Sequence, residues 1–260
     1  MNSQQLLDSL PILGVFVLVA VLCLAAYEAG FRIGRWWQER TPDEKEGPTG
    51  MLVGSILALM AFLLAVTMGM ASDRFDARRG LVLEEANSIG TTYLRAGYLP
   101  EPTSTEIRQL LREYVPLRIN VADRSQLAAN FARSGEILAD LWAEAEDLAR
   151  DTPSSETVAL FIESLNETID LHETRVTAIV YARVPETVVL LLIAGAALAL
   201  GMVGFSAGLT RRRSLISAIA LIVVLGAVVT LIVDLDRPRE GYLQVSQQPL
   251  IDLQEQIGPP

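Results

Sequence analysis

Residues 51–79 read MLVGSILALMAFLLAVTMGMASDRFDARR. The first 21 carry no charge, and then five of the seven residues 73–79 are Asp or Arg. An uncharged apolar run of about 18 residues or more has the length and composition of a bilayer-crossing helix. No proline falls between Ser72 and Leu99. The helix that crosses the membrane is therefore expected to continue beyond it as one rod.

The same contrast organises the whole chain. Charge is absent from residues 9–27, 47–72, 187–210 and 214–233, stretches of 19, 26, 24 and 20 residues. All 52 charged residues sit on the remaining 171. The totals, 51% apolar and 20% charged, resemble those of an acidic soluble protein. The distribution excludes one, because a soluble domain puts charge on every amphipathic element. It also excludes a disordered chain, which needs low hydrophobicity.

Other classes fall on composition. A net charge of −10 argues against nucleic-acid binding, which needs a basic surface. Cys23 is the one cysteine and lies in the first apolar run, so there is no disulfide framework and no cysteine metal site. His172 is the one histidine. Its neighbours Asp170 and Glu173 make it read as a solvated surface residue. No catalytic constellation, cofactor or metal is expected, and every glycine cluster in the last third of the chain is a membrane one. The leader MNSQQLLD has no Lys or Arg, so the first run is expected to be a retained helix rather than a cleaved signal.

The parts follow in order. Spans are expected at about 10–33, 51–71, 187–208 and 214–233. Residues 1–72 form a first transmembrane pair, 73–186 a helical polar domain, 187–233 a second pair and 234–260 a tail. Within 73–186, Val82, Ala86, Ile89 and Tyr93 are spaced by 4, 3 and 4, a buried helical stripe. Thr103–Glu106 matches a capping box, Pro116 is expected to kink the next helix, and Ser154 or Ser155 starts another. In the tail, Leu250, Leu253 and Ile257 share one face of a short amphipathic helix. The fold class is an all-α integral membrane protein with four spans in a two-plus-two order and a helical extramembrane domain between the second and third.

Four spans put the polar domain and both termini on one side. Lys and Arg near the spans divide almost evenly between the two sides, so the positive-inside rule leaves the orientation open. On the polar-domain side, the span ends gather Asp76, Arg78, Arg79, Asp234 and Arg237, readable as a charged mouth or as a belt of ion pairs. Glu28 is an intramembrane acid whose expected partner is Arg32, one helical turn away. Span two is rich in small residues, and residues 204–208 of span three give a GxxxG match, which favours close helix packing. Glu85, Asn87 and Thr91 are expected to form a polar network between helices, with Arg237 available to carboxylates such as Asp76 or Glu85.

The stretches FDARR at 75–79, EANSIGTTYLRA at 85–96, NETIDLHETR at 166–175 and DLDRPREGYLQVSQQPL at 234–250, with four spans, resemble the bestrophin-like domain proteins of bacteria. The resemblance covers nearly the whole chain. It implies a distant likeness to the bestrophins, pentameric channels whose second span lines a narrow neck. On that likeness Phe62, Thr67, Met68 and Met70 are pore-lining candidates, the partners are the lipid bilayer, inorganic ions and further copies of the chain, and the location is the bacterial inner membrane. Only 6% of the residues are aromatic, unlike the bestrophins, and no acidic run resembles the calcium clasp of the animal channels. The alternative of a different class is a membrane-anchored sensor or scaffold without transport. A channel needs span two around a symmetry axis; a scaffold needs an exposed apolar groove.

Overall fold

The computed structural model describes residues 10–41, 47–119, 124–180, 183–237 and 241–259. Among them the chain forms eight helices and no strand: α1 (Ile12–Arg40), α2 (Gly47–Ala96), α3 (Thr103–Ile119), α4 (Arg124–Asp151), α5 (Glu156–Val180), α6 (Glu186–Leu209), α7 (Leu215–Asp236) and α8 (Gln248–Ile257). Four of them, α1, α2, α6 and α7, are long and apolar enough to cross a membrane. The rod expected from the proline-free stretch is present as the single 50-residue helix α2. The chain divides into two compact units, residues 1–74 with 183–243, and residues 75–182 with 244–260.

In the first unit α1 lies against α6 and α7, and α6 lies against α7. The α1–α6 contact rests on glycine from both sides. A Cβ at Gly30 or Gly34 would overlap the carbonyl oxygens of Gly201 and Phe205. One at Gly204 or Gly208 would overlap those of Tyr27 and Phe31. The GxxxG of span three thus meets a second one, Gly30 to Gly34, which the reading of span one passed over. Lipid supplies no hydrophobic drive between helices, so association rests on such backbone contact. Glu28 accepts from Arg32 Nε at 3.0 Å, the expected pair, and also from Arg213 in the turn between α6 and α7. Arg213 lies over the Phe31 ring with 4.7 Å from Cζ to the centroid.

The second unit packs residues 75–96 of α2 with α3, α4, α5 and α8 around one apolar core. Val82, Ala86 and Ile89 of the expected stripe are buried there, with Tyr93 packed at its margin. Ile107, Leu111, Ile137, Leu141, Phe161 and Leu165 complete its centre. The tail helix α8 buries Leu250, Leu253 and Ile257. Its terminal carbonyl, on Ile257, accepts from Arg112 Nε at 2.9 Å and Tyr93 Oη at 3.4 Å, so the last turn is not left unsatisfied.

Helix α3 contains Pro116, the expected kink position, and continues to Ile119. It begins on the carbonyl of Pro102, which accepts from the backbone N–H groups of Thr105 and Glu106 at 2.9 and 3.2 Å, rather than on the Thr103 hydroxyl. Ser155 does cap α5, accepting from the Val158 N–H at 3.3 Å.

The glycine contact predicts a sharp asymmetry. Gly204→Leu should destabilise the purified protein by at least about 2 kcal/mol, since backbone must move to admit a side chain. Gly54→Leu, where a Cβ meets nothing within 4 Å, should leave the thermal midpoint in detergent near that of the parent.

Candidate functional site

Two features gather chemistry: the membrane face of α2 in the first unit and a buried polar cluster in the second. Of the four apolar helices, α2 is the least enclosed, with 17% of its apolar window buried against 28 to 44% in the others. Met60, Leu64, Thr67 and Ala71, spaced by 4, 3 and 4, form its buried face. The opposite face carries Ala58, Phe62, Ala65, Val66 and Gly69, all exposed.

The four pore-lining candidates therefore separate. Phe62 stands on the open face, 63% exposed. Met68 and Met70 flank it, half-buried. Thr67 turns the other way and donates its hydroxyl to the Leu63 carbonyl at 2.8 Å.

The mouth candidates separate too. Asp76 and Arg79 are exposed, whereas Arg78 is buried. Asp234 is buried and spends its carboxylate on the turn that follows α7, accepting from the backbone N–H groups of Tyr242 at 3.0 Å and Leu243 at 3.1 Å. Gly241 makes that approach possible: its φ is +145°, and a Cβ there would overlap Asp234 Oδ1. Arg237 donates to the Leu10 carbonyl at 2.9 Å. Pro238 and Arg239 lie outside the described residues.

The second unit holds a cluster that sequence reading found only in part. Glu85 of α2 is wholly buried. Arg118 of α3 donates from Nε to Glu85 Oε1 at 2.7 Å, and Arg175 of α5 donates from Nη1 to Oε2. Arg175 also donates from Nη2 to the Arg118 carbonyl at 3.2 Å and to Gln247 Oε1. Tyr114 Oη lies 3.5 Å from Glu85 Oε1 and 2.9 Å from His172 Nδ1. Beside this, Thr168 Oγ1 bonds Ser88 Oγ at 2.8 Å and Thr92 Oγ1 at 3.0 Å, tying α2 to α5. Asn87 and Thr91 are not in the cluster: both are exposed, and Thr91 donates to the Asn87 carbonyl at 2.9 Å.

His172 is buried, against the solvated position its acidic neighbours suggested. Asp170 and Glu173 point outward on α5 while position 172 falls on the inner stripe. Burial, reinforced by the Arg118 charge, lowers its pKa to about 4, so the ring is neutral at pH 7. Burial pushes the Tyr114 hydroxyl well above its ordinary value and lowers that of the Arg175 guanidinium. The signal for the missed residues is positional. Ile107, Leu111, Tyr114 and Arg118 continue one stripe at spacings of 4, 3 and 4, as do Leu165, Thr168, His172 and Arg175 at 3, 4 and 3. Polar side chains at core positions must find partners.

Two outcomes follow. Glu85→Gln leaves two buried guanidinium groups without a counter-charge and should cost about 3–5 kcal/mol by thermal or denaturant unfolding. The lowered His172 pKa means the unfolded chain binds its proton first, so stability is lost as pH falls from about 6.5 towards about 4. His172→Gln should flatten that part of the stability profile by roughly 2–3 kcal/mol; an unchanged slope between pH 4 and 6.5 would refute the assignment.

Comparison with known proteins gives three results. A profile of the bestrophin-like domain matches residues 15–250. No curated protein matches the chain. Among solved structures, the chain is similar to a bacterial bestrophin homologue from Klebsiella pneumoniae. A tyrosine-to-alanine variant of it aligns at 14% identity with a TM-score of 0.70, covering 95% of this chain and 97% of that one. A leucine-to-threonine variant aligns at 15% with a TM-score of 0.68 over the same shares. A third structure of the homologue gives 15% and 0.64, covering 95% of each chain. At such identity the likeness is one of fold.

Proposed function

The chain belongs to the bestrophin-like domain family, and on that footing we propose that it assembles into a homo-oligomeric passive ion channel in the bacterial inner membrane, with α2 lining the conduit. The observation that carries this is the open face of α2. A helix facing lipid covers itself with large side chains, as α7 does with Ile216, Ile219, Val223 and Val224, all exposed. The open face of α2 instead sets Phe62 and Val66 among Ala58, Ala65 and Gly69. Small residues there suit either close approach by another helix or a water-filled path. One α2 cannot enclose a path by itself, so the reading requires copies around an axis, five by resemblance to the bestrophins. No group in the cluster or on α2 supports catalysis in this reading.

A second reading has one specific observation in its favour. In the second unit a groove of about 520 Å³ is lined by Leu83, Gly90, Leu94, Leu253 and Ile257 among others. Leu83 and Leu94 are 52% and 60% exposed. Apolar surface of this kind suits a docked helix, so a membrane-anchored scaffold would use it.

Cysteine chemistry separates the two. Cys23 is the one native cysteine, so Cys23→Ser gives a clean background. In liposomes tested for Cl⁻ and K⁺ flux, Phe62→Cys and Gly69→Cys should become sensitive to a charged methanethiosulfonate reagent, while Thr67→Cys should not. A stable oligomer with no flux of either ion, or modification without effect at both open-face positions, would remove the channel reading and leave the scaffold.

A further inference from the structure

The end of the membrane unit at the α6–α7 turn carries more positive charge than its own residues take up. The turn itself holds Arg211, Arg212 and Arg213. Helix α1 reaches the same level, since a Cβ at Gly208, in the last turn of α6, would overlap the Phe31 carbonyl oxygen and the Arg35 backbone nitrogen. The Gly208 carbonyl also accepts from the Arg211 N–H at 3.2 Å, so Arg35 and Arg211 flank the same residue. Arg32, Arg35, Arg40, Arg211, Arg212 and Arg213 are all exposed. Their acidic neighbours on α1 are Glu28 and Glu39. By sequence the link after α1 adds Lys45 against Asp43, Glu44 and Glu46. That makes seven basic residues to five acidic ones, in a chain whose total charge is −10.

The arginines are not equally engaged. Glu28 takes both Arg32 and Arg213. Arg35 meets Glu39 at 3.3 Å across an exposed pair, which holds it weakly. Arg40 lies over the Trp36 ring, 4.0 Å from Cζ to the centroid. Arg211 and Arg212 hold no ion pair among the described residues. Arg211 is also kept against its backbone preference. Its φ is +54°, in the left-handed region where a Cβ is crowded and where glycine commonly ends a helix. Glycine would serve the turn better, and what glycine lacks is the guanidinium. The negative end of the α6 dipole calls for about one cation, and the turn supplies three.

We propose that Arg211 and Arg212, with Arg35 of α1, bind the phosphate of an anionic phospholipid at this end of the membrane unit. The arginines stand where two apolar helices end, which is the level of lipid phosphates. Trp36 and Trp37, exposed with ring centroids 6.4 Å apart, mark the same level on α1. Ile33, Leu215 and Ile216 are exposed beside the arginines and suit acyl chains. The surplus of positive charge selects a lipid of net negative charge over a zwitterionic one, whose own cation accompanies its phosphate. A free phosphate would gain nothing from the apolar surface. The site is independent of whether the protein conducts.

The test offers the full chain in detergent dioleoyl phosphatidylglycerol or dioleoyl phosphatidylcholine and counts retained lipid by native mass spectrometry. Phosphatidylglycerol should bind roughly tenfold more tightly or better. Arg211→Gly relaxes the backbone, so the lipid-free variant should melt no lower than the parent. Its affinity for phosphatidylglycerol should nevertheless fall about fivefold, and adding Arg212→Gln should bring the loss to roughly 25-fold. Arg150→Gln, at an exposed arginine of the second unit, should change nothing. Equal retention of the two lipids overturns the site, as does undiminished affinity in the double variant or an equal loss in Arg150→Gln. A lower melting midpoint for Arg211→Gly would give Arg211 a structural role and overturn its assignment. Millimolar sodium phosphate should leave phosphatidylglycerol bound; displacement would overturn the lipid in favour of a free anion.

Discussion

The closeness of α1 and α6 fixes the rest of the membrane unit. Gly30, Gly34, Gly204 and Gly208 bring the two backbones so near that a single methyl group on either side would strike a carbonyl oxygen. In lipid, where apolar side chains gain nothing by meeting one another, a contact of this kind selects the partner helix. α1, α6 and α7 lie against one another, and α2 is the least enclosed of the four apolar helices. Its buried face is a narrow one, and Phe62, Val66 and Gly69 remain uncovered.

The second unit is organised by a different constraint, the cost of burying charge. Glu85 sits where an apolar side chain would complete the Val82–Ala86–Ile89 stripe. A lone buried carboxylate would be prohibitive, so α3 and α5 each deliver an arginine to it, and α8 approaches with Gln247 just before its first turn. An ion cluster of this kind is weak evidence of stability, since apolar replacements often do as well. Its value lies in register. Only one axial setting of α3 and α5 along α2 places Nε of Arg118 and Nη1 of Arg175 on the two oxygens of the same carboxylate.

Much of this architecture is legible in the sequence. The charge-free runs placed the four spans, because length and charge exclusion are what a bilayer imposes. The Leu250, Leu253 and Ile257 face of α8 and the stripe on α2 were legible because a 3.6-residue period survives in apolar residues. The polar cluster was less so. Glu85 stands beside an apolar stripe and is visible as an unusual residue, but His172 reads as a surface residue and Arg118 and Arg175 carry no apolar signal. What distinguishes them is their place in the stripes of α3 and α5, and a period read only from apolar residues skips those places. The second GxxxG, in α1, is less visible because Gly30 to Gly34 straddles the expected end of the span at about residue 33.

Charges close to a span are poor guides to an ion path when taken from sequence alone. Desolvation drives each one to the nearest complementary group, and backbone is the nearest. Asp234 illustrates this: it was grouped with the mouth, yet both its oxygens are taken by backbone N–H groups of the turn that follows α7. Arg237 likewise donates to a carbonyl, and Glu28 is shared by Arg32 and Arg213. A charge already engaged in this way offers a passing ion only the remainder of its field. Asp76 and Arg79 differ in being exposed, so their fields act outward into solvent. Within the set that sequence placed at the mouth, exposure and prior engagement, rather than proximity to a span, decide which charges are left for an ion to feel.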